Sequence, residues 1–543
     1  DVVGRVKIDN YDNRSTYKAY ASTGTLVSGD RGTYSDTSTQ SKNTYADAIA
    51  TLNKSFNDWS VNVNLGVSLS DSRYEMIGYE GGLKLINFFA VHNIDFNKAW
   101  KAKQSGWHDQ TRAIFANAEI GWKSMIYLTA TGRNDWDSRL AFSDYKSFFY
   151  PSIGLSAILT SMFNAPDWLT YLKVRGSYTE VGNSYGRFMT TVTYPYDEQT
   201  QSWTSTSSYP NTKLKPERTK SWEVGLDARI LNDISLNLTY YRSNTYNQTF
   251  YADLSLSSGY SNIPIQSGNI MNEGLEMSLG YNKQWKDFSF NTNYTLTWNK
   301  NRVKRLADGV YNYATGQPIQ MPELSPLTYG HTDARLILRV GGSMGDVYGQ
   351  RLLKRDLNGY ILNEEGVGLA MENKETYLGS ILPKMNMGWS LGFGYKGVNL
   401  GMTFTGRFGG IVISETQSVL DAAGVSKVSA DVRDAGGVQI NQSKVSAQTY
   451  YQTIQGTAAY YTYSATNVRL GELSLSYTLP KKWFDNKVGM TVGLVGKNLW
   501  MIYCKAPFDP ELTTSAASNF YQGFDAYMLP STRNFGFNVK FQF

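Results

Sequence analysis

Gly182-Asn-Ser184-Tyr-Gly186 has the spacing of a nucleophile elbow, a motif that works only where a sharp strand-to-helix turn presents the serine to a histidine and an acid. No helical periodicity follows it. The three histidines, His92, His108 and His331, fall in segments that read as loops, so acyl transfer has no base in view. Gly392-Phe-Gly394-Tyr-Lys-Gly397 carries the glycines of a dinucleotide fingerprint. They lie on the polar face of an alternating strand and in its hairpin turn, where no helix N-terminus could hold a phosphate. Asp356-Leu-Asn358-Gly359 begins like a calcium loop but lacks the bidentate glutamate at the required place, and a β-turn explains it better. Cys504 is the sole cysteine, with no histidine or second thiol beside it. These residues build no catalytic centre, cofactor site or metal site, and the chain does not read as an enzyme.

The elements that would have to position such residues are strands. Trp59-Ser-Val61-Asn-Val63-Asn-Leu65-Gly-Val67-Ser-Leu69 alternates apolar and polar residues without a break, long enough to cross a bilayer as a tilted strand. The pattern recurs at Ile234–Tyr240, Phe288–Trp298 and Leu473–Leu479, and alternation by two gives each strand one face for lipid and one for water. With weaker segments such as Arg5 to Tyr20, Ala46 to Leu52 and Ile114 to Trp122, about 16 strands are expected, an even number as in single-chain bacterial barrels. No stretch approaches the roughly 18–20 unbroken apolar residues of a membrane-spanning helix. Composition agrees: charged residues are 18%, aromatics 14% with 39 tyrosines, which suits two belts of amphipathic rings at the membrane surfaces. Mean hydropathy is −0.38, because half of every such strand is polar. The net charge of +6 comes without a basic cluster interleaved with aromatics, so nucleic acid is not an expected partner.

The fold expected is therefore all-β, a transmembrane antiparallel β-barrel in contact with outer-membrane lipid. The chain ends in Phe535-Gly-Phe537-Asn-Val539-Lys-Phe541-Gln-Phe543, and an aromatic-ended terminal strand is how outer-membrane barrels finish. Phe537, Phe541 and Phe543 are read as the signal to the barrel assembly machinery. Short connections (Asn57-Asp58, Lys123-Ser124, Asn232-Asp233, Lys396-Gly397) take turns with long ones, about Asp71 to Asp109, Asn183 to Lys215, Asn244 to Ile265, Asn299 to Ser380, Gly406 to Tyr461 and Tyr503 to Gly523. That polarity places the turns in the periplasm and the loops outside. The loops are rich in Ser, Thr, Tyr, Gly and Asn, and sugar rings stack on exposed aromatics. Tyr185, Trp203 and Tyr209 are accordingly candidate substrate or lid contacts, against the plainer reading that such rings belong to the membrane belt.

Several stretches resemble the SusC/RagA group of TonB-dependent transporters of the Bacteroidetes outer membrane. The most specific is Leu214-Lys-Pro-Glu-Arg-Thr-Lys-Ser-Trp-Glu-Val-Gly-Leu-Asp227, followed in the group's order by Asn269–Gly280, Leu382–Gly388, Asn467–Pro480, Gly496-Lys-Asn-Leu-Trp500, Asp509-Pro-Glu511 and Leu529–Phe543. The resemblance implies a 22-stranded barrel closed by an N-terminal plug and energised by the inner-membrane TonB complex. It implies a SusD-like surface lipoprotein as lid, a two-plus-two assembly of such pairs, and import of oligosaccharides or, in some members, peptides. The chain starts at Asp1 without an initiator methionine or signal segment. Residues 1–543 are thus expected to be the C-terminal portion of such a barrel, with the plug and first strands outside this sequence. A passive 16-stranded porin and a soluble adhesin of β-sandwiches are the competing readings. Pro216, Glu217 and Arg218 precede a strand and read as structural, with the Glu/Arg pair tying adjacent strand ends.

Overall fold

The computed structural model describes residues 1–22, 29–98, 100–197, 202–311, 315–321, 323–361, 363–364, 368–512, 514 and 519–543. The alternating segments join in chain order into one 16-stranded sheet. Its strands are β1 (Val2–Ala19), β2 (Thr33–Phe56), β3 (Trp59–Gly82), β4 (Trp100–Trp122), β5 (Ile126–Asp137), β6 (Phe148–Ile158), β7 (Leu169–Asn183) and β8 (Glu217–Ile230). The series continues with β9 (Ile234–Asp253), β10 (Asn262–Trp285), β11 (Phe288–Arg305), β12 (Met385–Tyr395), β13 (Val398–Phe408), β14 (Asn467–Leu479), β15 (Gly489–Cys504) and β16 (Asn534–Gln542). β1 and β16 stand at the two ends of this order. No described helix is long and apolar enough to cross a membrane. The chain divides into two compact units, one of Asp1–Ser156, Ser177–Ser221 and Thr245–Ser267, the other of Ala157–Gly176, Trp222–Asn244 and Gly268–Phe543.

In the first unit the antiparallel register sorts the two faces. Ala50, Leu65 and Ala116 lie side by side on β2, β3 and β4, as do Ala48, Val67 and Ile114, which makes a continuous apolar face. On the other face Thr51 donates to Asn64 at 2.7 Å, and the Asn64 amide donates to Asn62 at 2.7 Å, a polar ladder suited to a wet lumen. Gly66 sits on this polar face under the Phe115 ring, which occupies the space a Cβ would take, 2.2 Å away. Any side chain there would have to displace the ring.

The strands run much further than the alternation suggests. The segment Asp71 to Asp109, expected to be one long loop, contains the last twelve residues of β3 and the first ten of β4. They continue the same ladder, with Arg73 opposite His108 and Tyr79 opposite Ala102. His108 is therefore a strand residue rather than a loop residue. Once a strand leaves the apolar band both faces are wet, so the period of two fades while the backbone ladder persists. The tight turns fall where expected and use left-handed backbone at Asn57, Lys123, Ser124, Leu231, Asn232 and Lys396, as hairpins matching the twist of their strands require.

The long connections of the second unit are folded in their own right. Residues Glu323–Thr328, Arg335–Arg339, Asp346–Leu353 and Met371–Ser380 form a four-stranded sheet. Helices Glu415–Ala422, Lys427–Asp434 and Ala447–Ile454 each start at a serine, Ser414, Ser426 and Ser446, whose side chain accepts an early backbone N–H. Tyr329, Leu336, Val347, Ile381, Ile413 and Phe524 pack into one buried cluster, and Leu353, Ile440, Tyr451, Ile454 and Tyr461 into another.

Candidate ligand-contact surfaces

The connection between β7 and β8 in the first unit carries the three aromatics singled out by type, and the structure separates them. Tyr185 is only 5% exposed and packs with Leu140, Phe148 and Leu214, where burial pushes its phenol above the ordinary value. As placed, it offers no ring face to a ligand. Trp203 is 72% exposed. It stands opposite Tyr196 in a short two-stranded ladder with ring centroids 5.1 Å apart, edge to face. Thr204 N–H donating to Pro195 O at 2.9 Å and Thr206 N–H donating to Thr193 O at 3.1 Å hold this hairpin, and Tyr194 is exposed beside it. Tyr209 is half-buried, edge to face with Tyr260 at 5.1 Å. The exposed pair Tyr196 and Trp203 presents flat apolar faces with polar edges, the geometry on which a sugar ring or a peptide plane stacks.

The same unit holds a ring stack that the sequence reading missed because it lay in the segment taken for a loop. Trp107 on β4 stacks with Tyr74 of β3, 5.6 Å away and nearly parallel, and the Arg187 guanidinium lies over it, 3.6 Å from its ring centroid. Arg187 in turn pairs with Asp109 at 2.5 Å.

A cleft of about 600 Å³ opens in the second unit, its mostly apolar lining, with Trp298, Leu382 and Ile411, interrupted by Asn301, Ser343 and Asp346. Asp346 is buried and accepts from Ser343 N–H at 2.8 Å and from the Tyr377 hydroxyl at 3.2 Å. Burial pushes the Asp346 carboxyl up. Burial, with this carboxylate beside it, pushes the Tyr377 phenol up to about 12. Asn301 accepts from Met344 N–H at 2.8 Å and donates to Asn272 at 2.9 Å. Such a wall of oriented donors and acceptors fits hydroxyl- or amide-rich ligands.

The motifs with catalytic spacing do other things. Ser184 follows β7 without a helix after it and donates at 2.8 Å to Asp137, whose carboxylate is already held by Arg139 at 2.6 Å. Asp356 accepts from the N–H groups of Asn358 and Tyr360 at 2.9 and 2.8 Å, a turn closed by Gly359. Cys504 ends β15, its thiol directed at the carbonyls of Ala506 and Phe508. Arg218 ties β8 to β7 by pairing with Glu180 at 3.1 Å, and not through Glu217. Phe537 and Phe541 lie on the apolar side of β16, Phe543 follows its last residue, and all three are exposed, Phe543 at 96%. Among the described residues no three His, Cys, Asp or Glu side chains gather as a metal would need.

Comparison with known proteins returns a family match, "TonB dependent receptor-like, beta-barrel", over residues 4–499. "TonB-dependent receptor P3" of Formosa agariphila is 24% identical over 544 residues, covering 92% of this chain and 52% of that protein. "TonB-dependent receptor SusC" of Bacteroides thetaiotaomicron is 25% identical over 243 residues, covering 44% of this chain and 22% of its own length. The chain spans about half the length of the first curated relatives it matches. Among solved structures, the RagAB peptide importer in the open-open state superposes with a TM-score of 0.75 at 17% identity, covering 99% of this chain and 58% of that one.

Proposed function

The chain belongs to the TonB-dependent receptor-like β-barrel family, outer-membrane proteins of Gram-negative bacteria that are not enzymes, and from that premise we propose that the intact protein imports oligosaccharides. It does so as a SusC-like transporter under a SusD-like lipoprotein lid, drawing on the TonB complex for energy. The long connections face outward and capture the ligand between barrel and lid. The observation that carries this reading is the exposed Tyr196–Trp203 pair on a folded hairpin, a stacking surface with no apolar core to fill. The cleft beside Asp346 and Tyr377 adds hydrogen-bonding groups, for sugar hydroxyls, to a mostly apolar wall.

Peptide import is the second reading. The same donors and acceptors serve amides, and the RagAB structures, described as a peptide importer, share the fold. Isothermal titration of the intact protein with its lipoprotein against an oligosaccharide pool and a peptide pool separates the two. Heat released by the oligosaccharides alone is expected; heat released by the peptides alone overturns the glycan assignment. Family membership favours either active importer over the passive porin. In this scheme Phe537, Phe541 and Phe543 are the residues read by the assembly machinery, and the transporter pairs associate two by two.

A further inference from the structure

On the apolar face of β2–β5, small side chains leave a trough of about 810 Å³ lined by Ala46, Ala48, Val67, Leu69, Ile114 and, at one end, Arg112 and Trp136. A second trough of about 730 Å³ shares Ala48, Val67, Ile114 and Trp136 with it. Here the apolar face gives way to charge on three strands at once. Leu69 is followed on the same face by Asp71 and Arg73, Ala46 is preceded by Thr44 and Lys42, and Ile114 is preceded by Arg112, Gln110 and His108.

Lys42 stands directly opposite Arg73, and Arg73 directly opposite His108, so three basic side chains form one cross-strand row. Lys42 and Arg73, like charges directly opposite each other, repel and weaken a ladder unless an anion joins them. The acid in reach is Asp71, shared by His108 at 2.7 Å and Arg73 at 3.4 Å, with Glu75 one step further along the same face of β3. Lys42 and Arg112 have no carboxylate partner among the described residues; the Arg112 guanidinium donates only to the neutral Gln110 oxygen, at 2.9 and 3.1 Å. Trp136 is directly opposite Arg112 on β5, an aromatic placed where membrane interfaces favour one.

We propose that this face is a docking site for a phosphorylated, multiply acylated glycolipid of the outer leaflet, with an acyl chain in the trough and its phosphates on Lys42, Arg73 and Arg112. Three things on one surface select that occupant. The apolar trough needs a hydrocarbon, the row above it needs a multivalent anion, and both lie at the end of the strands that carries the long connections. Guanidinium groups match phosphate oxygens in forked pairs. A fatty acid brings one charge and would leave either Lys42 or Arg112 without an anion, and a soluble phosphate would leave the trough empty. The inference stands on the outer-membrane location and is independent of what the transporter imports.

The test uses the intact protein, delipidated and placed in phosphatidylcholine nanodiscs, with a bis-phosphorylated acylated glucosamine disaccharide and its dephosphorylated form as probes and native mass spectrometry as readout. The phosphorylated probe is expected to bind at least tenfold more tightly. The triple variant Lys42→Gln, Arg73→Gln, Arg112→Gln should remove that difference, and Ala48→Phe, which fills the trough and leaves the charges, should weaken both probes. Equal binding of the two probes to the unaltered protein overturns the proposal. So does unchanged binding by Ala48→Phe, a single substitution that keeps the test alive should the triple variant fail to fold. Full displacement of the probe by an equal concentration of inorganic phosphate would mark a simple anion site and overturn it as well.

Discussion

Arg469 and Asp509 make the clearest case for a perturbation whose size follows from geometry. Arg469 sits on β14 with 11% of its side chain exposed, and Asp509 lies in the connection after β15 with 7% exposed. Two parallel hydrogen bonds join them, at 2.8 and 3.0 Å. Glu511 approaches the same guanidinium at 3.4 Å, and the Oδ1 of the fully buried Asn467 accepts from it at 3.1 and 3.2 Å. Removing one member of a buried pair strands the other and costs about 3–5 kcal/mol. Asp509→Ala should therefore raise the opening of the chain at residues 507–512 roughly 10²- to 10⁴-fold, read as faster amide exchange there. The double variant Arg469→Met, Asp509→Leu removes both charges of the pair and leaves Asn467 short of donors and the half-exposed Glu511 without its cation. It should cost about 1–3 kcal/mol, less than the single change. Acid acts in the same direction. The Asp509 carboxyl lies below its ordinary value because the Arg469 hydrogen bonds and charge outweigh the burial that pushes it up. Its contribution is complete above the ordinary carboxylate range and is lost as pH falls below about 4. Equal exchange in the single variant and the unaltered protein, or a double variant worse than the single, would refute the assignment of this pair as the anchor.

Trp203→Ala should weaken ligand binding by about tenfold, some 1.4 kcal/mol, with thermal stability unchanged, whereas Tyr185→Ala should cost about 3–5 kcal/mol of local stability; titration and melting of the two variants check the contrast, and a stability loss in the first would disprove it. Deleting Phe543 should reduce the amount of heat-modifiable, folded barrel in the outer membrane while leaving synthesis intact, and normal assembly without it would remove Phe543 from the signal.

The parts of the fold legible in the sequence are those where two solvents compete for the two faces of a strand. Trp59 to Leu69 alternates because one face meets hydrocarbon and the other a polar ladder, and the hairpin at Lys123-Ser124 is legible because the strands on either side end together. Beyond Leu69 the signal vanishes for a physical reason. Ser70-Asp71-Ser72-Arg73 is polar on both faces, and its backbone bonds to β2 and β4, with Asp71 reaching across to His108, keep it extended. The helices were legible in principle and went unread. Ser414-Glu-Thr-Gln417 has the spacing of a capping box, and the Ser414 side chain does accept from Gln417 N–H at 2.9 Å, yet the segment carries no long apolar stripe to draw notice.

Residue type is a weak guide to a contact surface in a chain with 39 tyrosines, because tertiary structure decides which rings are spent on packing. Tyr185 and Trp203 look alike in sequence, each set among polar residues in one connection. Tyr185 follows β7 directly and falls onto Leu140 and Leu214, whereas Trp203 is carried away from that cluster on a hairpin held by its own backbone bonds. The same distinction applies to charge. Arg133 and Arg139 each meet an aspartate two residues away and are used up locally, while Arg112 faces the opposite side of β4 and meets only a glutamine. On a barrel wall, then, the groups available to a ligand, lid or lipid are those that the register leaves unmatched, and the register is set by the same ladder that carries the strands past the membrane.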